Sequence, residues 1–391
     1  MRTRRLWTGT CVAAYWLVGS ISASAQGAAT EPAWDKCSKA PTKTCVINEA
    51  LRTLQAGDDA TARWMIGLAQ AKAGQKQDAL ANFQRALTIA QMPGLSHVSG
   101  SLASGVAFAQ AEAGFAGDAA ATFSLAKKYS MTSGRGAVEL EMIGKQEARA
   151  GYVEAVTKTA TSINDVRASS SVMRAIVDAH LKSGRIPQAT AIAQSIVHEQ
   201  IRADAITAVV KSLVTAGNLA EAQRLASSIE RDEFGAAAGA ELARGQFKVG
   251  LKDEAMMNFN RALKSARSIQ DNVLRSQILG NIARAQAGAG LNPAASATLA
   301  EALAMIKPVS EPNQRTAMGV LIYAEAEIGN FVEAVQLARS LDQPQMQATM
   351  LYMVVKAEAQ SGKIREAIDL AQSIEIVQAR SLALAEVALA L

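Results

Sequence analysis

Residues 66–74 read IGLAQAKAG, and residues 282–290 read IARAQAGAG. Each stretch ends an apolar-periodic segment at a small residue followed by glycine, and an alanine stands five positions beyond that glycine, at Ala79 and at Ala295. A pattern that recurs within one chain is the signature of a repeat architecture. We therefore searched the rest of the chain for further copies.

Corresponding glycines recur at intervals of 33 to 40 residues along most of the chain. They are Gly74, Gly114, Gly151, Gly184, Gly217, Gly250, Gly290, Gly329 and Gly362. A large aliphatic residue stands eight positions before each, from Ile66 to Val354. Glycine ends a helix because it takes the left-handed conformation without a Cβ clash, and the alanine that follows allows a second helix to approach closely. The pattern predicts nine helical hairpins.

The hairpin around Gly74 resembles the tetratricopeptide repeat. The small, glycine, small, aromatic, small and aliphatic positions of that motif are held by Gly67, Gly74, Ala79, Phe83, Ala86 and Leu87. The hairpin around Gly250 repeats the pattern with Ala255, Phe259, Ala262 and Leu263. In the 33-residue units alanine replaces the aromatic residue, at Ala193, Ala226, Ala338 and Ala371. The resemblance spans residues 60–375 and implies an all-α, right-handed α-α superhelix (solenoid) of about nine hairpins, whose first helices line a concave groove for a peptide or protein.

The first 25 residues read as a secretory signal peptide. Arg4 and Arg5 precede a mostly apolar stretch over residues 6–21, and Ala23 and Ala25 frame a cleavage site. We expect cleavage after Ala25 and export to the periplasm, or secretion from the cell. An uncleaved anchor is the alternative, but the stretch is short and interrupted for a membrane span, and no later apolar run is long enough to cross a bilayer.

The mature chain is expected to be nearly neutral, because the signal carries three arginines and no acid. Its Lys+Arg count falls from 40 to 37 against 35 Asp+Glu, a net charge of about +2. This balance gives no support to nucleic-acid binding or to adsorption on an anionic membrane.

Two cysteines, Cys37 and Cys45, stay in the mature chain. In an oxidising compartment we expect them to form a disulfide, and two free thiols are the alternative. We accordingly divide the mature chain into an N-terminal segment, residues 26–59, that carries the disulfide and a capping helix, and a repeat domain, residues 60–391.

The residues six and two positions before each glycine are four apart and should share one helix face. In the middle of the chain this face carries the candidate groove cations Lys145, Arg149, Lys182, Lys211, Arg244, Lys248 and Arg284. They are suited to an acidic segment or a terminal carboxylate of a protein partner. A merely solvated face is the alternative. A mostly polar row four positions before each glycine is expected to hydrogen-bond between adjacent hairpins.

The chain stops inside a repeat, because Val387 and Ala388 align with Ile282 and Ala283. The last helix is more apolar than a solvent-facing end should be. Self-association or partner docking through this helix is one interpretation, and packing on the preceding hairpin is the other.

No catalytic motif stands out, and the three histidines, His97, His180 and His198, lie in different hairpin regions without metal-ligand spacing. No cofactor or metal is expected. We therefore predict an exported, non-enzymatic scaffold for a protein or peptide partner. The alternatives are an accessory subunit that binds an envelope polysaccharide and a cell-wall lytic enzyme with a helical superhelix.

Overall fold

The computed structural model describes residues 37–54, 58–229, 232–306 and 313–391. Every regular element in these residues is helical, which confirms the all-α class. The helices are α1 (Lys43–Leu54), α2 (Ala60–Lys72), α3 (Lys76–Ala90), α4 (Ser99–Glu112), α5 (Ala116–Ser130), α6 (Gly136–Arg149), α7 (Val153–Ser162), α8 (Val166–Lys182), α9 (Ile186–Ser195), α10 (Glu199–Thr215), α11 (Leu219–Ala226), α12 (Asp232–Lys248), α13 (Lys252–Ser268), α14 (Asn272–Gly288), α15 (Asn292–Ile306), α16 (Asn313–Ile328), α17 (Phe331–Arg339), α18 (Pro344–Gln360), α19 (Ile364–Gln372) and α20 (Val377–Ala390). The proposed signal peptide and the cleavage site after Ala25 lie outside the described residues.

The nine predicted helical hairpins are present, from α2 and α3 to α18 and α19, and the two helices of each pack on one another. All nine glycines have φ between 72° and 95°. The amide after each glycine donates to the carbonyl five residues back, as Gln75 N does to Gln70 O at 2.9 Å. This closes the first helix and turns the chain into the second.

The variable repeat length lies in the second helices. Where successive glycines are 37 to 40 residues apart, the second helix has 15 to 17 residues. Where they are 33 apart, it has 8 to 10. The first helices therefore keep the same alignment to the repeat glycine in every hairpin.

First helices pack on one another in an unbroken series, α2 on α4, α4 on α6, and so on to α18 and α20. Each second helix packs between its own first helix and the next one. The first helices thus form one continuous layer, which we call the inner wall.

The series closes on itself. Helix α20 packs on α18 and α19 at one flank and on α1 and α2 at the other. Ser381 Oγ donates to Ala50 O at 2.8 Å, and one hydrophobic cluster contains residues from both chain ends. Helix α1, which the sequence suggested as an N-terminal cap, thus packs on α20 as a second helix packs on its first helix.

Residues 381–388 of α20 are all buried. They pack on the preceding hairpin, as one interpretation expected, and also on α1 and α2, which the sequence did not reveal. Leu391, at the end of the same helix, is exposed, so self-association through this end stays a prediction.

The predicted disulfide is present between Cys37 and Cys45, whose Cα atoms are 5.9 Å apart. Cys37 is buried in the same hydrophobic cluster as α1 and α20. The disulfide thus fixes the start of the described chain to α1, beside the closure.

Candidate functional site

The candidate site is the inner wall, and its most charged part comes from four successive first helices, α10, α12, α14 and α16. Glu241 accepts a hydrogen bond from Arg244 Nε at 2.7 Å and lies 4.0 Å from Lys211 Nζ. Arg284 Nε donates to Glu327, which also accepts from the hydroxyl of Tyr323 at 2.7 Å. We call Lys211, Glu241, Arg244, Arg284 and Glu327 the central charge cluster.

Three cations face two carboxylates in the central charge cluster, so its formal charge is +1. Partial burial lowers the pKa of Lys211, and the nearby guanidinium groups of Arg284 and Arg244 lower it further, while the two carboxylates oppose this shift. The charge of Glu327 on α16 thus raises the pKa of Lys211 on α10, although the two residues lie three hairpins apart along the chain. The inner wall therefore concentrates charge from distant hairpins.

Arg244 lies across α14 because Gly288 leaves room for it. A Cβ at Gly288 would come within 2.7 Å of Arg244 Cδ. The Arg244 side chain is only 11% exposed, and its Nη2 is buried without a hydrogen-bond partner. Gly288 occupies the place two positions before the repeat glycine, where α12 has Lys248 and α16 has Glu327.

The other candidate groove cations lie on the same wall with partners of their own. Lys145 pairs with Glu141 on its own helix, and Lys182 Nζ lies 3.5 Å from Glu112 of α4. The guanidinium of Arg149 lies 4.5 Å from the centre of the Phe108 ring. Lys248 is exposed. Most of the seven predicted groove cations thus take part in ion pairs, and we call this set of ion pairs along the inner wall the ladder.

The sequence analysis identified the cations of this ladder but missed three of its acids. The acids Glu141, Glu241 and Glu386 stand nine or ten positions before their repeat glycine, or before its expected place in the last repeat. Glu386 pairs with Lys356 at 2.8 Å. A helix returns to the same face after three or four residues, so extending the stripe by one more turn would have found them.

Aromatic residues of the inner wall come from the hairpins on either side of the closure. Phe108 and Tyr352 are only 3% and 4% exposed. The guanidinium of Arg284 lies 5.6 Å from the ring centre of Tyr323. The faces of these rings are used in packing within the protein.

The polar row four positions before each glycine bonds differently from our expectation. Most of its hydrogen bonds stay within a hairpin and reach the residue twelve positions later, as Asn82 Nδ2 donates to Gln70 Oε1 at 2.7 Å. The same pairing joins Thr159 to Glu147, Asn258 to Gln246 and Thr298 to Gln286. The 2.7 Å pair of Lys127 with Glu147 joins neighbouring hairpins. The row therefore fixes the register inside each hairpin.

Glu358 occupies this row in the last hairpin without such a partner, because Leu370 stands twelve positions later. Its Oε2 is buried without a hydrogen bond. Burial and, to a smaller extent, the nearby Glu366 raise the pKa of Glu358 to about 7, and Lys363 opposes them. The protonated form therefore suits the folded state, so stability is expected to fall as the pH rises from about 4.5 to about 7.

We expect Glu358→Gln to stabilise the protein by about 1 to 3 kcal/mol at pH 8 and to remove this pH dependence. Glutamine already holds the equivalent place at Gln70, Gln246 and Gln286. Urea denaturation at pH 4.5 and pH 8 measures the effect. The control Glu147→Gln removes a carboxylate with two partners and should destabilise. Equal stability of Glu358→Gln and the natural protein at pH 8 would contradict the assignment.

No protein-family model matches this chain, and no curated protein is similar enough to count as a relative. Across the part of the chain that the structure describes, no helix has the length and apolar character needed to cross a membrane. Within the same residues, no group of three or more His, Cys, Asp or Glu side chains is placed to hold a metal ion.

Proposed function

We propose that this protein is an exported, non-enzymatic scaffold that binds an acidic segment of a protein or peptide along the inner wall of first helices. The observation that carries the proposal is the convergence of charged side chains from four successive hairpins in the central charge cluster. The side chains of these ion pairs are 11 to 30% exposed, and the cost of removing them from water offsets much of their attraction. The contribution of these ion pairs to folding stability therefore does not explain why they lie on one face.

The tetratricopeptide-like, right-handed superhelix belongs to the same proposal. Its support is the constant register of the first helices and the aromatic, small and glycine positions of the two longest units. Export to the periplasm is supported by the disulfide, which is compatible with an oxidising compartment.

Charge reversal of Lys211, Arg244 and Lys248 to glutamate is expected to abolish partner capture, because three cations facing an acidic segment become repulsive. The matched control reverses Lys252, Arg261 and Lys264, which are exposed on the second helix α13 and change the net charge equally. Affinity capture with crosslinking from the native envelope compares the three proteins. Capture that survives in the inner-wall variant, while its circular dichroism shows a folded protein, would refute the proposal.

The polysaccharide alternative has less support, because sugar binding in a groove relies on open aromatic faces. Phe108 and Tyr352 are buried, and Arg284 lies over Tyr323. Cleavage of peptidoglycan or another glycan by the purified protein would favour the lytic-enzyme alternative over a scaffold.

A further inference from the structure

Helices α20 and α1 together have the form of a tenth hairpin. Helix α20 continues the series of first helices, since it packs on α18 and on α2. Helix α1 buries Val46, Ile47, Ala50, Thr53 and Leu54. This spacing repeats in the second helix α3, which buries Asn82, Phe83, Ala86, Ile89 and Ala90, each 36 positions later. Helix α1 thus acts as the second helix for a first helix at the other end of the chain.

This hairpin differs from the other nine because no turn joins its two helices. In each of the others a glycine turn keeps the helices together when their side-chain contacts loosen. Segments near chain ends open locally at a lower free energy than the rest of a fold. The boundary between α1 and α20, which we call the seam, is therefore the place where a second helix can leave its first helix without breaking a covalent hairpin.

Besides apolar contacts, three hydrogen bonds of the described residues join α1 and its disulfide loop to the last two helices, one to α20 and two to α19. Ser381 Oγ donates to Ala50 O, and Gln372 Nε2 donates to Glu49 Oε1 at 3.2 Å. Arg365 Nη2 donates to Lys39 O at 2.8 Å. Lys39 lies within the loop that the disulfide closes, so the disulfide keeps this third acceptor in place.

We propose that α1, with the loop closed by Cys37 and Cys45, is a releasable clasp whose opening parts the seam and uncovers the surfaces of α20 and α2 on which it packs. Reduction of the disulfide frees Cys37 from its covalent tie to α1 and loosens the Lys39 contact. The clasp then opens more often, while the nine covalent hairpins stay folded. The inference does not depend on the proposed function, since it concerns the protein without a partner.

Hydrogen exchange of the whole mature protein, followed by mass spectrometry, tests the clasp. With the disulfide intact, the amides of α1 and α20 should exchange together and faster than those of α14, which is enclosed in the middle of the series. A phosphine reductant, or the variant Cys37→Ser with Cys45→Ser, should speed exchange in α1 and α20 about tenfold or more and leave α14 unchanged.

A second variant tests the seam without changing the disulfide. Ser381→Ala removes only one bond of the seam and should speed exchange in the same two helices by a smaller factor. A reductant that leaves α1 and α20 unaltered, or that speeds α14 equally, would overturn the proposal.

Discussion

Leu384→Asp in α20 is expected to destabilise the protein by about 4 kcal/mol or more, because it places an unpaired carboxylate at a fully buried position. Leu384 is 0% exposed and belongs to the hydrophobic cluster that joins the two chain ends. Thermal and urea denaturation, with solubility on expression, measure the effect. A large loss would show that the last helix is part of the core.

The control for this substitution is Ala390→Asp, six residues further along the same helix at an exposed position. We expect it to change stability by less than about 0.5 kcal/mol. If Leu384→Asp left stability unchanged and abolished only partner capture, α20 would be a docking helix and the closure with α1 would be wrong.

Phe83→Ala is expected to cost about 3 to 5 kcal/mol, because Phe83 is among the largest fully buried side chains. Its ring lies against Gly67, where an added Cβ would come within 2.8 Å of Phe83 Cε1. Gly67→Val should therefore also destabilise, by about 1 to 3 kcal/mol, because it overpacks the same space.

The two substitutions together should cost clearly less than their sum, with a coupling of about 1 to 3 kcal/mol. The 33-residue hairpins already carry the exchanged pair, with a valine in the place of Gly67 and an alanine in the place of Phe83. Examples are Val177 with Ala193 and Val355 with Ala371. Gly117→Val is the control, since a Cβ there meets nothing within 4 Å. Additive costs in a denaturation-based double-mutant cycle would show that the two sites do not share this space.

The helical hairpins could be predicted because their signals are local. A glycine with positive φ, an aliphatic residue eight positions earlier and an alanine five positions later lie within one turn and its two flanking helices. The disulfide was predictable for the same reason, since Cys37 and Cys45 are eight positions apart.

The inner-wall ladder was predicted only in part. The spacing of the repeats placed Lys211, Arg244 and Arg284 on one face, which the structure brings together. One acid, Glu241, precedes Arg244 by one turn on the same helix, while other contacts depend on side-chain reach between helices. Arg244 extends over Gly288 of the next hairpin, and a pattern along one helix does not contain that distance.

By itself, the sequence determined the hairpins, their register and their boundaries, because each depends on backbone preferences and on burial between residues less than about 40 positions apart. Only the tertiary structure decided that the series closes. The contact of Ala50 with Ser381 spans 331 positions, and it depends on the small rotation added at every hairpin. Those rotations accumulate over the whole chain, so no local pattern specifies where its two ends meet.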